Sequence, residues 1–193
     1  MQEPLPCYDD LDATLREAWG RLVRGVKDRR SGFHTLVLAS LGEDGAPEAR
    51  TLVLRKVDPV ARSVRFHSDW RSRKIASLKR QPRVAVHGYC AASKMQLRLS
   101  GVALLHDPQT QVAQEAFARS QEKSQLCYAQ AQAPGLELAT PSDVGQLEGG
   151  AENFSVIEIA VDRLEWLYLH AQGHRRALFT WQGEALTQNW LAP

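Results

Sequence analysis

Short turns between strand-like runs constrain this chain more than any other feature. Phe33 to Leu41 and Pro47 to Val57 are separated only by the Gly-Glu-Asp-Gly turn at 42–45. Asp58-Pro59 then leads into Val64 to Ser68, and Ala91 to Lys94 joins Arg83–Tyr89 to Met95–Leu105. Connections this short can link only antiparallel neighbours, because a parallel pair needs a crossover of a dozen residues or more. Further strand-like runs follow at Phe154–Val161, Leu164–Leu169 and Ala177–Trp181, with turns at Asp162-Arg163 and near Gln172-Gly173. A hairpin-rich chain with few helices predicts a mainly β, α+β architecture: an antiparallel barrel with peripheral helices.

The helices are legible from period and caps. Leu11, Leu15, Ala18, Trp19, Leu22 and Val26 form one apolar stripe, with acids at the start and bases at the end, so a helix is predicted over about 9–30. Ser72 heads a short helix to Lys79, stopped by Gln81-Pro82, and Asp107-Pro108 opens another to about Ser120. About 121–151, rich in Gln, Ala, Gly and Pro, reads as a helix remnant plus a long loop. The 193 residues are expected to form one domain, 1–193, large enough for a proper core.

Charge is distributed unevenly. From Arg50 to Arg83 there are eleven Lys/Arg against Asp58 and Asp69, a local +9 in a chain of net +2. A basic island in an otherwise acidic chain predicts one anionic ligand. Neither GxGxxG nor GxxxxGK[ST] is present, so a phosphate would have to be held by side chains. Ser72-Arg73-Lys74 offers a hydroxyl, a forked guanidinium and an ammonium at a helix start, with Arg50 and Arg55 on a strand that can lie alongside. Three separated cysteines (Cys7, Cys90, Cys127) without CxxC fit reduced thiols, and neither a signal peptide nor a membrane-spanning run is expected. The predicted location is cytoplasmic. His170 and His174 have no third ligand nearby in the sequence, so no metal is predicted.

Read in order, R-x-x-V-L-R from Arg50, F-H-S-x-x-x-S-R-K from Phe66 and M-Q-L-R-L-S-G from Met95 closely resemble the FMN-binding segments of the pyridoxamine 5′-phosphate oxidase family. Trp166 and Arg176, ten residues apart, and the final Leu-Ala-Pro continue the likeness. It implies a split β-barrel and a homodimer with FMN at the subunit interface. By the same resemblance, the cofactor would meet Arg50, Thr51, Leu52, Val53, Arg55, His67, Ser68, Ser72, Arg73, Lys74, Gln96, Trp166 and Arg176. Arg55 stands where the family has lysine, and His67-Ser68 replaces an aromatic–hydroxyl pair.

The substrate side departs from the pattern. Where the oxidase has R-x-H this chain has Gln172-Gly173-His174, leaving His174 as the substrate contact. A tyrosine and an arginine of the middle helix fall near Ala116 and Ser120. Losing two cationic contacts would cost several kcal/mol, at about 1.5–3 each. From Asp107 to Glu165 there are ten acids against three bases, which predicts a neutral, cationic or apolar substrate and poor oxidation of pyridoxamine 5′-phosphate. The expected function is an FMN-dependent oxidoreductase of unassigned substrate. The alternatives are a flavin-binding protein without turnover, including one for a deazaflavin or tetrapyrrole-like ligand, and, less favoured, a nucleic-acid module. The basic island carries only Phe66 and Trp70 for base stacking, so no nucleic-acid partner is expected.

Overall fold

The computed structural model describes residues 5–193. Helix α1 (Leu11–Lys27) begins where Asp10 caps the Ala13 backbone N–H at 2.8 Å. Its Ala18, Trp19 and Leu22 are buried, while Leu11, Leu15 and Val26 are half-buried at the margin of the same core. The helix is followed by β1 (Thr35–Leu41), β2 (Pro47–Asp58), β3 (Ser63–Asp69), α2 (Arg73–Arg80), β4 (Arg83–Cys90) and β5 (Met95–His106). Next come α3 (Gln111–Ala118), α4 (Glu122–Gln125), β6 (Phe154–Tyr168), β7 (Arg175–Gln182) and β8 (Ala185–Leu191).

All strand pairs are antiparallel, in the order β3-β2-β1-β4-β5-β6-β7-β8, and β3 also pairs with β6. That last pairing closes β1 to β6 into a six-stranded barrel and leaves β7 and β8 as a flap beyond β6. The period-2 pattern aims Leu36, Leu38, Phe66, Val86, Leu97, Leu99 and Ile157 into the barrel, where all are buried. Helix α2 contributes Ile75 and Leu78 to the same core. A second cluster lies outside the wall, where Ala113 of α3 packs with Phe154 and Val156. It explains why the start of β6 is buried on both faces.

Two features differ from the sequence expectation. The turn predicted at Asp162-Arg163 is a β-bulge within one 15-residue strand, β6. Opposite it, Ser100 pairs with Arg163 and Gly101 with Val161, so Asp162 is the extra residue. Gly101 permits this: a Cβ there would lie 2.1 Å from the Ala160 carbonyl oxygen. Strand β8 was not predicted, because its exposed pattern carries no alternation toward a core. The segment 121–151 holds α4, three 3₁₀ turns at its start, middle and end, and a single bridge between Gln130 and Gln146.

Candidate functional site

At the end of the barrel where β3 runs into α2, Ser68, Ser72 and Lys74 converge. The Lys74 Nζ donates to Ser68 Oγ at 3.3 Å, and Ser68 Oγ lies 3.3 Å from Ser72 Oγ. Ser72 caps the start of α2 with its backbone, and its hydroxyl donates to the Asp69 carbonyl at 2.7 Å. Burial lowers the Lys74 pKa and the nearby Arg50 lowers it further, with Asp69 opposing. Two like charges therefore share a desolvated corner. Arg50 bonds Ser40 Oγ at 2.7 Å and Glu48 at 2.5 Å, whereas Arg73 is exposed and has no ion pair among the described residues. Such a corner gains from a bound dianion, which relieves the repulsion and desolvation together.

Arg71 plays a different part. Its guanidinium grips Asp69 at 2.8 and 3.1 Å and donates to the Gln130 and Ala131 carbonyls at 2.9 and 3.0 Å. It fastens the 121–151 segment across the start of α2 and is already neutralised. Asn153 anchors the same segment through the Tyr128 carbonyl at 2.9 Å.

Around the wall from this corner, an open cleft of about 1050 Å³ lies between the end of α1, the outer faces of β2 and β3, and α3. Val53, Arg55 and His67 form part of its floor. The His67 ring meets Phe154 edge-on at 4.7 Å, and burial, helped by Arg55, lowers its pKa to about 4. The imidazole is neutral at physiological pH. Tyr128 meets Phe154 edge-on at 4.9 Å, and burial lifts its phenol to about 12, so it stays a hydrogen-bond donor. Arg55 acts electrostatically on both His67 and Tyr128 and has no ion pair among the described residues. Tyr128 is not among the residues the sequence pattern points to. The clue was a lone aromatic in a Gln- and Ala-rich tract.

The remaining predicted positions scatter. Thr51 shares the outer face with Val53 and Arg55, but Leu52 packs against the core. Gln96 lies on the outer face of β5, with its side-chain oxygen 3.1 Å from His87 Nε2. Counting round the barrel, β5 is three strands from β2 in either direction, so Gln96 and Arg55 are on opposite sides of one chain. Trp166 is fully buried inside, tilted against Tyr168, and its indole N–H has no partner among the described residues. Arg176 holds the buried Glu165 at 2.9 Å, and Arg98 and Arg163 reach the same carboxylate at 3.3 and 3.6 Å. His174 is exposed, and its Nδ1 accepts the His170 backbone N–H at 3.2 Å.

The expected acidity of the substrate region needs correction. Six cations line the cleft (Lys27, Arg29, Arg55, Lys56, Arg65, Arg119) against a single acid, Glu115. The acids counted between Asp107 and Glu165 mostly point elsewhere: Glu165 is held by three arginines on the β7 side, and Asp162 pairs with Arg83. A regional sum mixes both faces of each strand, and only one face meets the cleft.

The FMN-binding domain model of pyridoxamine 5′-phosphate oxidase matches residues 16–107, a stretch holding most of α1, β1 to β5 and the whole basic corner. That stretch is similar to the FMN-binding domain of the oxidase family. A pyridoxine/pyridoxamine 5′-phosphate oxidase from Thermobifida fusca (strain YX) is 43% identical over 53 residues, which span 28% of this chain and only 23% of that protein. Two solved structures share the whole fold. One is a pyridoxamine 5′-phosphate oxidase-related, FMN-binding protein from Nostoc punctiforme, with TM-score 0.74, 19% identity and all of both chains covered. The other is PhzG from Burkholderia lata 383 in complex with tetrahydrophenazine-1-carboxylic acid, with TM-score 0.76, 20% identity, and 100% and 99% of the two chains covered. The barrel thus has the split-barrel fold of these two proteins. Among the described residues no helix is long and apolar enough to cross a membrane.

Proposed function

We propose that this chain is an FMN-dependent oxidoreductase that works as a homodimer, with each flavin held between two copies. The observation that carries the reading is the basic corner of Arg50, Arg73 and Lys74 beside a cleft large enough for a flavin ring and a small substrate. Arg73, Lys74, Ser68 and Ser72 would hold the FMN phosphate, with Arg50 adding charge behind them. Thr51, Val53, Arg55 and His67, together with the backbone at Leu52, would line the ring on one side.

When bound, FMN supplies the redox chemistry by accepting a hydride at N5. The protein's own residues bind, orient and shield. Neutral His67 offers a flat face and an acceptor nitrogen without a competing charge. The protonated Tyr128 keeps a donor beside Arg55. The 121–151 segment, fastened by Arg71, keeps water from the phosphate end.

Dimerisation is proposed on geometric grounds. Gln96 and Arg176 lie on the far side of the barrel from Arg55, so they can meet a flavin on the β2–β3 face only if it belongs to a second copy. Trp166 would support that wall from inside. The outer face of β1, β4 and β5 offers Val37, Ala39, Ala85, Tyr89 and Val102 for such a contact, beside Arg83 and Arg98. The three free cysteines fit a reducing cytoplasm.

The test is the visible spectrum of the purified protein, followed by anaerobic addition of NADH, NADPH or candidate amines. Flavin bands that bleach on reduction and return with air support the oxidoreductase. Flavin bands that no donor bleaches favour a binding protein without turnover. Absence of flavin, with no uptake of added FMN, overturns the reading.

A further inference from the structure

We propose that the substrate carries an anionic group, and that Lys27 and Arg29, at the end of α1, are the residues that select it. The proposal rests on the cleft being the flavin-and-substrate site, and it names the charge of the substrate and where that charge sits. The six cations of the cleft fall into two kinds. Arg65 is taken by Glu158 at 3.0 Å, and Arg119 by Glu115 at 3.1 Å. Lys27, Arg29, Arg55 and Lys56 have no acid partner among the described residues, and Arg29 makes only a hydrogen bond of 3.3 Å to the Gln121 side chain. Four unpaired cations facing one concavity raise the local concentration of anions and discriminate against cations.

Arg55 is already assigned to the flavin, and Lys56 adjoins it on β2. The charge left over is therefore at the α1 corner, across the cleft from α3. On the α3 side Ala116 and Ser120 offer no charge and Arg119 is held by Glu115, so the unpaired cations at that end of the cleft are those of α1. That corner is also rigid. Gly25, in the last turn of α1, lies so close to Phe33 that a Cβ would meet the Phe33 carbonyl oxygen at 2.7 Å. His34 Nδ1 lies 2.7 Å from the Gly25 carbonyl oxygen. A carbonyl can only accept, so Nδ1 is the donor in this contact. The end of α1 is thus locked to the residue before β1, and a substrate meets two positioned donors for its anion.

The test uses the FMN-loaded protein and three probes of one shape: naphthalene-2-carboxylate, 2-naphthyl phosphate and the neutral naphthalene-2-carboxamide. Binding is read from probe fluorescence by equilibrium dialysis, and flavin content from absorbance, so the two are independent. Both anions should bind at least about tenfold more tightly than the amide. The Lys27→Ala/Arg29→Ala variant should lose that preference at unchanged flavin content, while Arg80→Ala, remote from the cleft, keeps it. A tighter phosphate identifies a phosphate monoester as the natural group, and a tighter carboxylate identifies a carboxylic acid. Equal binding of amide and anions, or a preference that survives the double variant, overturns the proposal while leaving the flavin assignment standing. Loss of flavin from the wild-type protein would instead strike the functional reading itself.

Discussion

Three basic residues within four positions have three different fates, and only their partners separate them. Arg71 is neutralised by Asp69 and fastened to two carbonyls, Arg73 is unpaired at the surface, and Lys74 is half-buried against Ser68. Replacing Arg73 and Lys74 together by alanine should weaken FMN binding by roughly a hundredfold or more, at about 1.5–3 kcal/mol per charged contact. Riboflavin, which lacks the phosphate, should bind the wild type far more weakly than FMN and be indifferent to the change. Equal affinities of the wild type for FMN and riboflavin, by fluorescence titration, would remove these residues from the phosphate site. His67 gives a pH prediction at the same scale. The folded chain keeps this ring neutral to about pH 4, while an unfolded chain takes up the proton near pH 6.5. Its effect on stability is nil above that range, and stability is lost as pH falls from about 6.5 to about 4, by on the order of 3 kcal/mol. The thermal midpoint of His67→Phe should fall less over that window than that of the wild type. Parallel curves would show that the ring titrates normally.

Among the elements, β6 decides the most. Its first half closes the barrel against β3, its second half carries β7, and the bulge at Asp162 turns one into the other. Gly101→Ala would press a methyl group into the Ala160 carbonyl, and the strands would have to part. A loss of about 3 kcal/mol is expected in urea unfolding, at the upper end of overpacking costs. A loss under about 0.5 kcal/mol would mean that the bulge gives way easily. The 121–151 segment depends on few anchors instead. Arg71→Ala should speed amide exchange at 129–147 while β1 to β6 keep their protection, because the two carbonyl bonds lie outside the barrel ladder. Uniform loss of protection would show that the segment and barrel open as one unit.

At the scale of the whole molecule, one chain carries two unlike outer faces. The β2–β3 face has the cleft and its unpaired cations; the β5–β7 face has Gln96 and three arginines gathered on Glu165. If each face completes the other's site, assembly and flavin binding must be coupled. Sedimentation should then find the FMN-loaded protein as a dimer, and Ala85→Arg, at the centre of the outer β1–β4–β5 face, should cost both the dimer and the flavin. A monomer with stoichiometric FMN would refute the shared site.

The sequence by itself determined the local and the alternating. The apolar stripe of α1, the capped start of α2 and the hairpins of β1 to β5 depend on neighbours a few residues apart. Their periods of 3.6 and 2 were sufficient to locate them. The basic island likewise announced an anion, and the ordered R-x-x-V-L-R, S-R-K and M-Q-L-R segments resembled those that hold one. Only the tertiary structure decided which charges are spent on the protein itself. Arg65, Arg71 and Arg119 meet acids, whereas Lys27, Arg29 and Arg55 do not, and Lys27 and Arg29 reach the cleft only because α1 ends beside β2. The closure of β3 on β6 joins residues almost a hundred positions apart, and β8 exists because β7 offers it an edge. Neither follows from a local pattern, since a strand's partner is chosen by the edge and the buried face that remain when the rest of the chain has packed.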